Sequence, residues 1–66
     1  MNKNEAIVAM CEGKKVRHYY FSPDEWMTMT SGGMYLLEDG VVCTPSEFWK
    51  WRSEKEWDTN WSIYVE

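Results

Sequence analysis

Within seven residues, Lys15-Val16-Arg17-His18-Tyr19-Tyr20-Phe21, the chain gathers two cations, its only histidine and three aromatics. Two kinds of chemistry are conceivable there: proton transfer by the imidazole, or recognition, with a guanidinium on phosphate and rings stacked on a base. Proton transfer needs partners. No Cys or Ser stands in a nucleophile context, and no carboxylate is spaced to orient His18. A structural or interface histidine is therefore expected, with no catalytic residue. The adjacent carboxylates Asp24-Glu25 and Glu38-Asp39 lie in turn sequences, where such side chains cap and solvate. Gly32-Gly33 belongs to a hairpin rather than to a strand-to-helix phosphate loop. One His and two distant Cys, Cys11 and Cys43, are too few for a structural zinc, so neither metal nor cofactor is expected.

Recognition has better candidates. Arg17 lies among aromatics and Arg52 beside Trp49 and Trp51, so either can pair with phosphate while a ring stacks. Each also has a plain alternative: a solvated strand cation for Arg17, a cation complementing the helix dipole for Arg52. Trp49, Trp51, Trp57 and Trp61 likewise suit a core or an oligomer interface as well as a stacking platform.

The elements that must position these groups follow from periodicity. Asn4 caps a helix over residues 3–12, with Ala6, Ile7, Met10 and Cys11 on one face and Gly13 ending it. Val16 to Phe21 alternates as a strand, placing Val16, His18 and Tyr20 on one side and Arg17, Tyr19 and Phe21 on the other; Val16 and Tyr20 are the expected core members. Ser22-Pro23-Asp24-Glu25 matches a capping box able to start one helical turn. Strands at Trp26 to Thr30, Met34 to Glu38 and Val41 to Cys43, joined by Ser31-Gly32-Gly33 and a type I′ turn at Asp39-Gly40, make a meander. Thr44-Pro45-Ser46-Glu47 repeats the capping arrangement and starts a second helix, on which Phe48, Trp51 and Arg52 share a face. Ser53 to Asn60 is expected as loop. A last strand, Trp61 to Val65, sets Trp61, Ile63 and Val65 against Ser62 and Tyr64. The fold class is α+β: an N-terminal helix packed on a small antiparallel β-meander, with a second short helix before the C-terminal strand. Residues 1–66 form a single small domain.

Composition bounds the function. A chain of 66 residues buries only about 60% of the surface its unfolded form exposes, so its core needs supplementing. With no signal peptide and no dense Cys spacing, reduced thiols in the cytoplasm are expected, which leaves oligomerisation as the supplement. Aromatics make up 17% of the chain, an excess that suits interfaces and ligand pockets. A net charge of −4 argues against general nucleic-acid binding. No apolar run is long enough to cross a membrane.

Along nearly its whole length the chain resembles the phage-encoded Thoeris anti-defence proteins of the second type described. The likeness rests on the Asn4-Glu5-Ala6 to Met10 helix ending in Glu12-Gly13-Lys14-Lys15-Val16-Arg17, the aromatic cluster Tyr19 to Phe21, the Gly33 and Glu38-Asp39-Gly40 turns around Tyr35, and the closing Trp61-Ser62-Ile63. The chain departs from the family pattern in its shorter length, in Asn60 where an acid precedes the terminal Trp, and in a more aromatic Thr44 to Trp51 helix. The resemblance implies no catalysis. It implies a homo-oligomer, a dimer or tetramer, that sequesters cyclic ADP-ribose isomers or cyclic oligonucleotides in the cytoplasm of an infected bacterium and so blocks the host's defence. The ligand-binding positions it implies are Tyr20 or Phe21 and Trp61 with Thr59 and Asn60; Arg17 and Trp26 join them from their place in the strand order. The competing expectation is a small acidic phage protein that inhibits a host protein through a Trp-rich surface.

Overall fold

A computed structural model describes residues 1–65. Helix α1, Lys3–Cys11, is capped by Asn2 rather than Asn4. The Asn2 side chain accepts from the Glu5 backbone N–H at 2.8 Å while the Asn2 N–H donates to the Glu5 carboxylate at 2.9 Å. This reciprocal pair satisfies two otherwise orphaned donors, which Asn4 has no acid three residues on to match. Ala6, Ala9 and Met10 form the buried stripe, and Cys11 lies exposed beyond it.

Strand β1 is Val16–His18, shorter than the alternation suggests. The chain turns at once, with the Phe21 N–H donating to the His18 carbonyl at 2.9 Å and the Tyr20 N–H to His18 Nδ1 at 3.0 Å. Tyr20 is thereby exposed instead of joining the core, and His18 takes the buried place. Ser22 to Glu25 closes as a turn, not a helical one: the Glu25 N–H donates to the Ser22 carbonyl at 3.0 Å and the Ser22 N–H to the Glu25 carboxylate at 3.2 Å.

β2 (Met27–Met29), β3 (Tyr35–Leu37) and β4 (Val42–Cys43) form the meander. Its first loop ends on Gly33 at φ 81°. The second is not type I′: Asp39 lacks the positive φ that turn requires, while Gly40 has φ 89° and the Leu37 N–H donates to the Val41 carbonyl at 2.9 Å. A three-residue loop with glycine in the left-handed region gives the strands the same right-handed twist. Helix α2, Pro45–Lys50, starts with the expected Thr44/Glu47 capping box. Phe48 is buried with the Arg52 guanidinium 4.1 Å from its ring, whereas Trp51, at the helix end, points outward. The segment expected as loop contains a 3₁₀ turn, Lys55–Asp58, before β5, Trp61–Ile63.

Among the described residues the strands make one antiparallel sheet in the order β4-β3-β2-β1-β5, so the last strand closes beside the first. Directly opposed residues share a face. The register Met29↔Tyr35↔Cys43, Val16↔Met27 and His18↔Trp61 therefore lays these side chains on one face. That face carries the core, Ala6, Ala9 and Met10 of α1 with Val16, Met27, Tyr35, Phe48 and Trp61, and both helices cover it. This is the expected α+β arrangement, and the other face is left open.

Candidate functional site

Alternation sends the residues between the core positions to the open face. β1 contributes Arg17, with Lys15 just before the strand and Tyr19 just after it. Across from them, Arg17 opposes Ser62, the Tyr64 N–H donates to the Lys15 carbonyl at 2.9 Å, and the Tyr19 N–H donates to the Asn60 carbonyl at 3.0 Å. Trp26 and Thr28 of the β2 segment lie on the other flank. The Lys15 ammonium sits 4.3 Å from the centre of the Trp26 ring, and the Trp26 and Tyr64 rings approach to 6.4 Å. Tyr19 is 77% exposed at the end of the row.

The cations are held in contrasting ways. Successive same-face residues of a strand stand roughly 6.7 Å apart, which sets the spacing of Lys15 and Arg17. Arg17 donates one Nη2 hydrogen bond to the Phe21 carbonyl at 3.1 Å, and its buried Nε has no partner. A buried N–H left unpaired costs about 1–3 kcal/mol, so Arg17 gains from any acceptor that lets it re-seat. The face thus carries two positive groups, the Ser62 hydroxyl and three aromatic rings, while the Thr28 hydroxyl already donates to the Lys14 carbonyl at 2.8 Å.

On the covered face the same strands form a closed knot around His18. The imidazole is 0% exposed and lies within 4.2 to 6.3 Å of the Trp57, Tyr20, Trp61 and Phe21 rings, centre to centre. Its Nε2 donates to the Glu56 and Thr59 carbonyls at 2.7 and 2.8 Å, and Nδ1 accepts from Tyr20. Carbonyls only accept and an amide N–H only donates, so the network assigns the neutral Nε2–H tautomer. Neither nitrogen is left to move a substrate proton. The Cys43 thiol is pushed up first by burial and then by the Glu47 carboxylate, which keeps it protonated and poorly nucleophilic. Among the described residues no three His, Cys, Asp or Glu side chains gather as metal ligands.

The seven expected ligand-binding residues divide between these two regions. Arg17 and Trp26 belong to the open face, and Asn60 meets its edge through the backbone carbonyl that accepts from Tyr19. Trp61 is 2% exposed, with its Nε1–H donated to the Trp57 carbonyl at 2.8 Å, so it offers no ring face to a ligand. Phe21 packs 5.8 Å from Trp61, and Thr59 contributes its carbonyl to His18. Tyr20 is exposed, yet leans edge-on against His18 and Trp57 at 5.0 and 5.4 Å. Arg52 is absorbed by Phe48, to whose carbonyl it donates at 3.2 Å, and Trp49 by the Tyr35 hydroxyl at 3.0 Å. Lys15, Tyr19, Ser62 and Tyr64 complete the open face, and the period-two alternation of the first and last strands marks all four.

Comparison with protein-family models, with curated proteins and with solved structures gives no match. Fold and site together define a small α+β protein with one closed and one open sheet face. Among the described residues no helix is long and apolar enough to cross a membrane.

Proposed function

We propose that the protein binds a nucleotide-derived immune signal on the open sheet face and sequesters it unchanged in the cytoplasm of an infected bacterium, as the resemblance to the Thoeris anti-defence proteins implies. The observation that carries this reading is the convergence of Lys15 and Arg17 with Tyr19, Trp26 and Tyr64 on a face that neither helix covers. Cations meet phosphates, and exposed rings stack on bases whatever their identity. The role is non-catalytic: the one histidine is locked in the core by three hydrogen bonds.

A homo-oligomer, dimer or tetramer, belongs to the same proposal. β5 is an edge strand. Its Trp61 backbone is engaged by Met1, whose nitrogen donates to the Trp61 carbonyl at 2.7 Å and whose carbonyl accepts at 3.1 Å, while no described residue covers Ile63 beyond it in the same way. An uncovered edge favours pairing with another chain. The competing reading, inhibition of a host protein through a Trp-rich surface, has less support because the five tryptophans do not gather outward: Trp61 is buried, Trp26, Trp49 and Trp57 are half-buried, and Trp51 stands exposed by itself.

The test is ligand release. Purified protein is incubated with a panel of cyclic ADP-ribose isomers and cyclic oligonucleotides, freed of unbound ligand and denatured. Recovery of an intact member of the panel is expected. Recovery of none sinks the sequestration reading, and recovery of converted product sinks the non-catalytic one. Sedimentation at micromolar concentration is expected to show a dimer or larger; a stable monomer refutes the oligomer.

A further inference from the structure

We propose that His18 is a proton-sensitive latch that fixes the Tyr19–Asn60 end of the open face. Three segments meet at its ring. Nε2–H holds the 3₁₀ turn through Glu56 and the start of β5 through Thr59, while Nδ1 holds the turn after β1 through the Tyr20 N–H. Tyr19 and Asn60 are the neighbours of these anchored residues and are bonded to each other at 3.0 Å. Asn60 has φ 69°, the left-handed region that asparagine tolerates better than most residues, and the anchored Thr59 carbonyl immediately precedes it.

Protonating the ring acts on one side only. The second proton goes to Nδ1, which then stops accepting and presents an N–H to the Tyr20 N–H 3.0 Å away. Two donors facing each other repel, so the Tyr19 to Phe21 turn must swing off. On the Nε2 side the imidazolium remains a donor, and the two carbonyl contacts persist. Among the described residues no carboxylate lies within ion-pair distance of the ring to offset the new charge. From β1, Arg17 projects to the opposite face; from the turn comes the Tyr20 phenol, and from β5 only the Trp61 ring. The 3₁₀ turn presents main-chain carbonyls while Lys55, Glu56 and Asp58 stay exposed. Arg52 lies 5.5 Å from the Trp57 ring, Lys3 of the overlying α1 sits 4.2 Å from Trp49, and the Met1 ammonium donates to the Trp61 carbonyl at 2.7 Å, so all three of these cations have the sign that opposes a protonated ring. Acid therefore loosens the Tyr19–Asn60 end and leaves the Lys15–Trp26–Tyr64 end in place. That this loosening weakens ligand binding rests on the function proposed above; the latch itself does not.

The experiment reads the latch without any ligand. His18 is the only histidine, so its ring nitrogens are unambiguous in the NMR spectrum of the ¹⁵N-labelled protein. Expected at neutral pH are a protonated Nε2 and a bare Nδ1. As the ring takes its second proton, the Tyr20 amide signal moves and its solvent exchange, corrected for the intrinsic pH effect, accelerates at least tenfold, while the Met27 and Ile63 amides hold still. An Nδ1–H tautomer at neutral pH, a protonated ring with an unmoved Tyr20 amide, or a ring that charges only when the whole chain unfolds each overturns the proposal. In folded His18→Asn, whose side-chain oxygen can accept from Tyr20, the pH response disappears; its persistence there is equally fatal.

Discussion

The two faces of the sheet are built from the same strands and the same aromatic-rich composition, yet they solve opposite problems. On the covered face every ring has found its neighbours: Tyr35 stands edge-on to Phe48 and Trp49, Trp61 edge-on to Trp49 and Phe21, and the polar handles of both tryptophans and of Tyr35 are paired inside the protein. On the open face Tyr19 is solvated, Trp26 has the Lys15 ammonium at 4.3 Å and the Tyr64 ring only at 6.4 Å, and a guanidinium nitrogen is left unpaired. A side chain whose hydrogen bonds are complete stabilises the fold. One whose bonds are incomplete, at a surface, is available to something else.

Substitutions can break this contrast. The largest effect is expected for Trp61→Ala, which removes a fully buried indole and leaves both a cavity and an unpaired Trp57 carbonyl; a loss of about 3–5 kcal/mol, enough to unfold so small a domain, should appear in chemical denaturation. If Trp61→Ala folds normally, the covered face is not the core. Arg17→Ala and Trp26→Ala should do the reverse, reducing ligand retention tenfold or more while shifting stability by less than about 1 kcal/mol. Normal retention in both variants moves the site off this face.

A pH experiment sharpens the same comparison. Tyr35 is pushed up chiefly by burial, against the opposing pull of the Trp49 hydrogen bond, and Cys43 is pushed up by burial and Glu47. Both groups are raised in the fold, so the stability they contribute is complete below the ordinary thiol and phenol ranges. It is lost as pH climbs through those ranges, where the unfolded chain releases its protons first. Denaturation midpoints should fall across that alkaline window, and less steeply in Tyr35→Phe; an identical slope removes Tyr35 from the account. The smallest effect is expected for Ser62→Ala at the rim of the open face, within about 0.5 kcal/mol by thermal melting.

Much of the architecture was legible locally. The Thr44/Glu47 capping box, the hairpin glycines at Gly33 and Gly40, and the helix ending near Gly13 all follow from interactions within a few residues, and the alternation of Arg17 with Tyr19 and of Ser62 with Tyr64 correctly sets those pairs apart from the core. The cap at Asn2 was legible too, through its Glu5 partner. One expectation fails. Alternation continued past His18 sets Tyr20 inward, whereas the chain turns there around a His18 ring that the Glu56 and Thr59 carbonyls hold from the far end of the chain.

The sequence by itself determined which residues alternate and where the chain must turn, because those depend on backbone geometry and near neighbours. Only the tertiary structure decided which side of the sheet the helices would cover, that β5 would close beside β1, and that His18 would be consumed by the Glu56 and Thr59 carbonyls. Burial is a property of the assembled chain: the same Lys-Val-Arg-His-Tyr-Tyr-Phe stretch is core, surface and turn by virtue of what lands upon it.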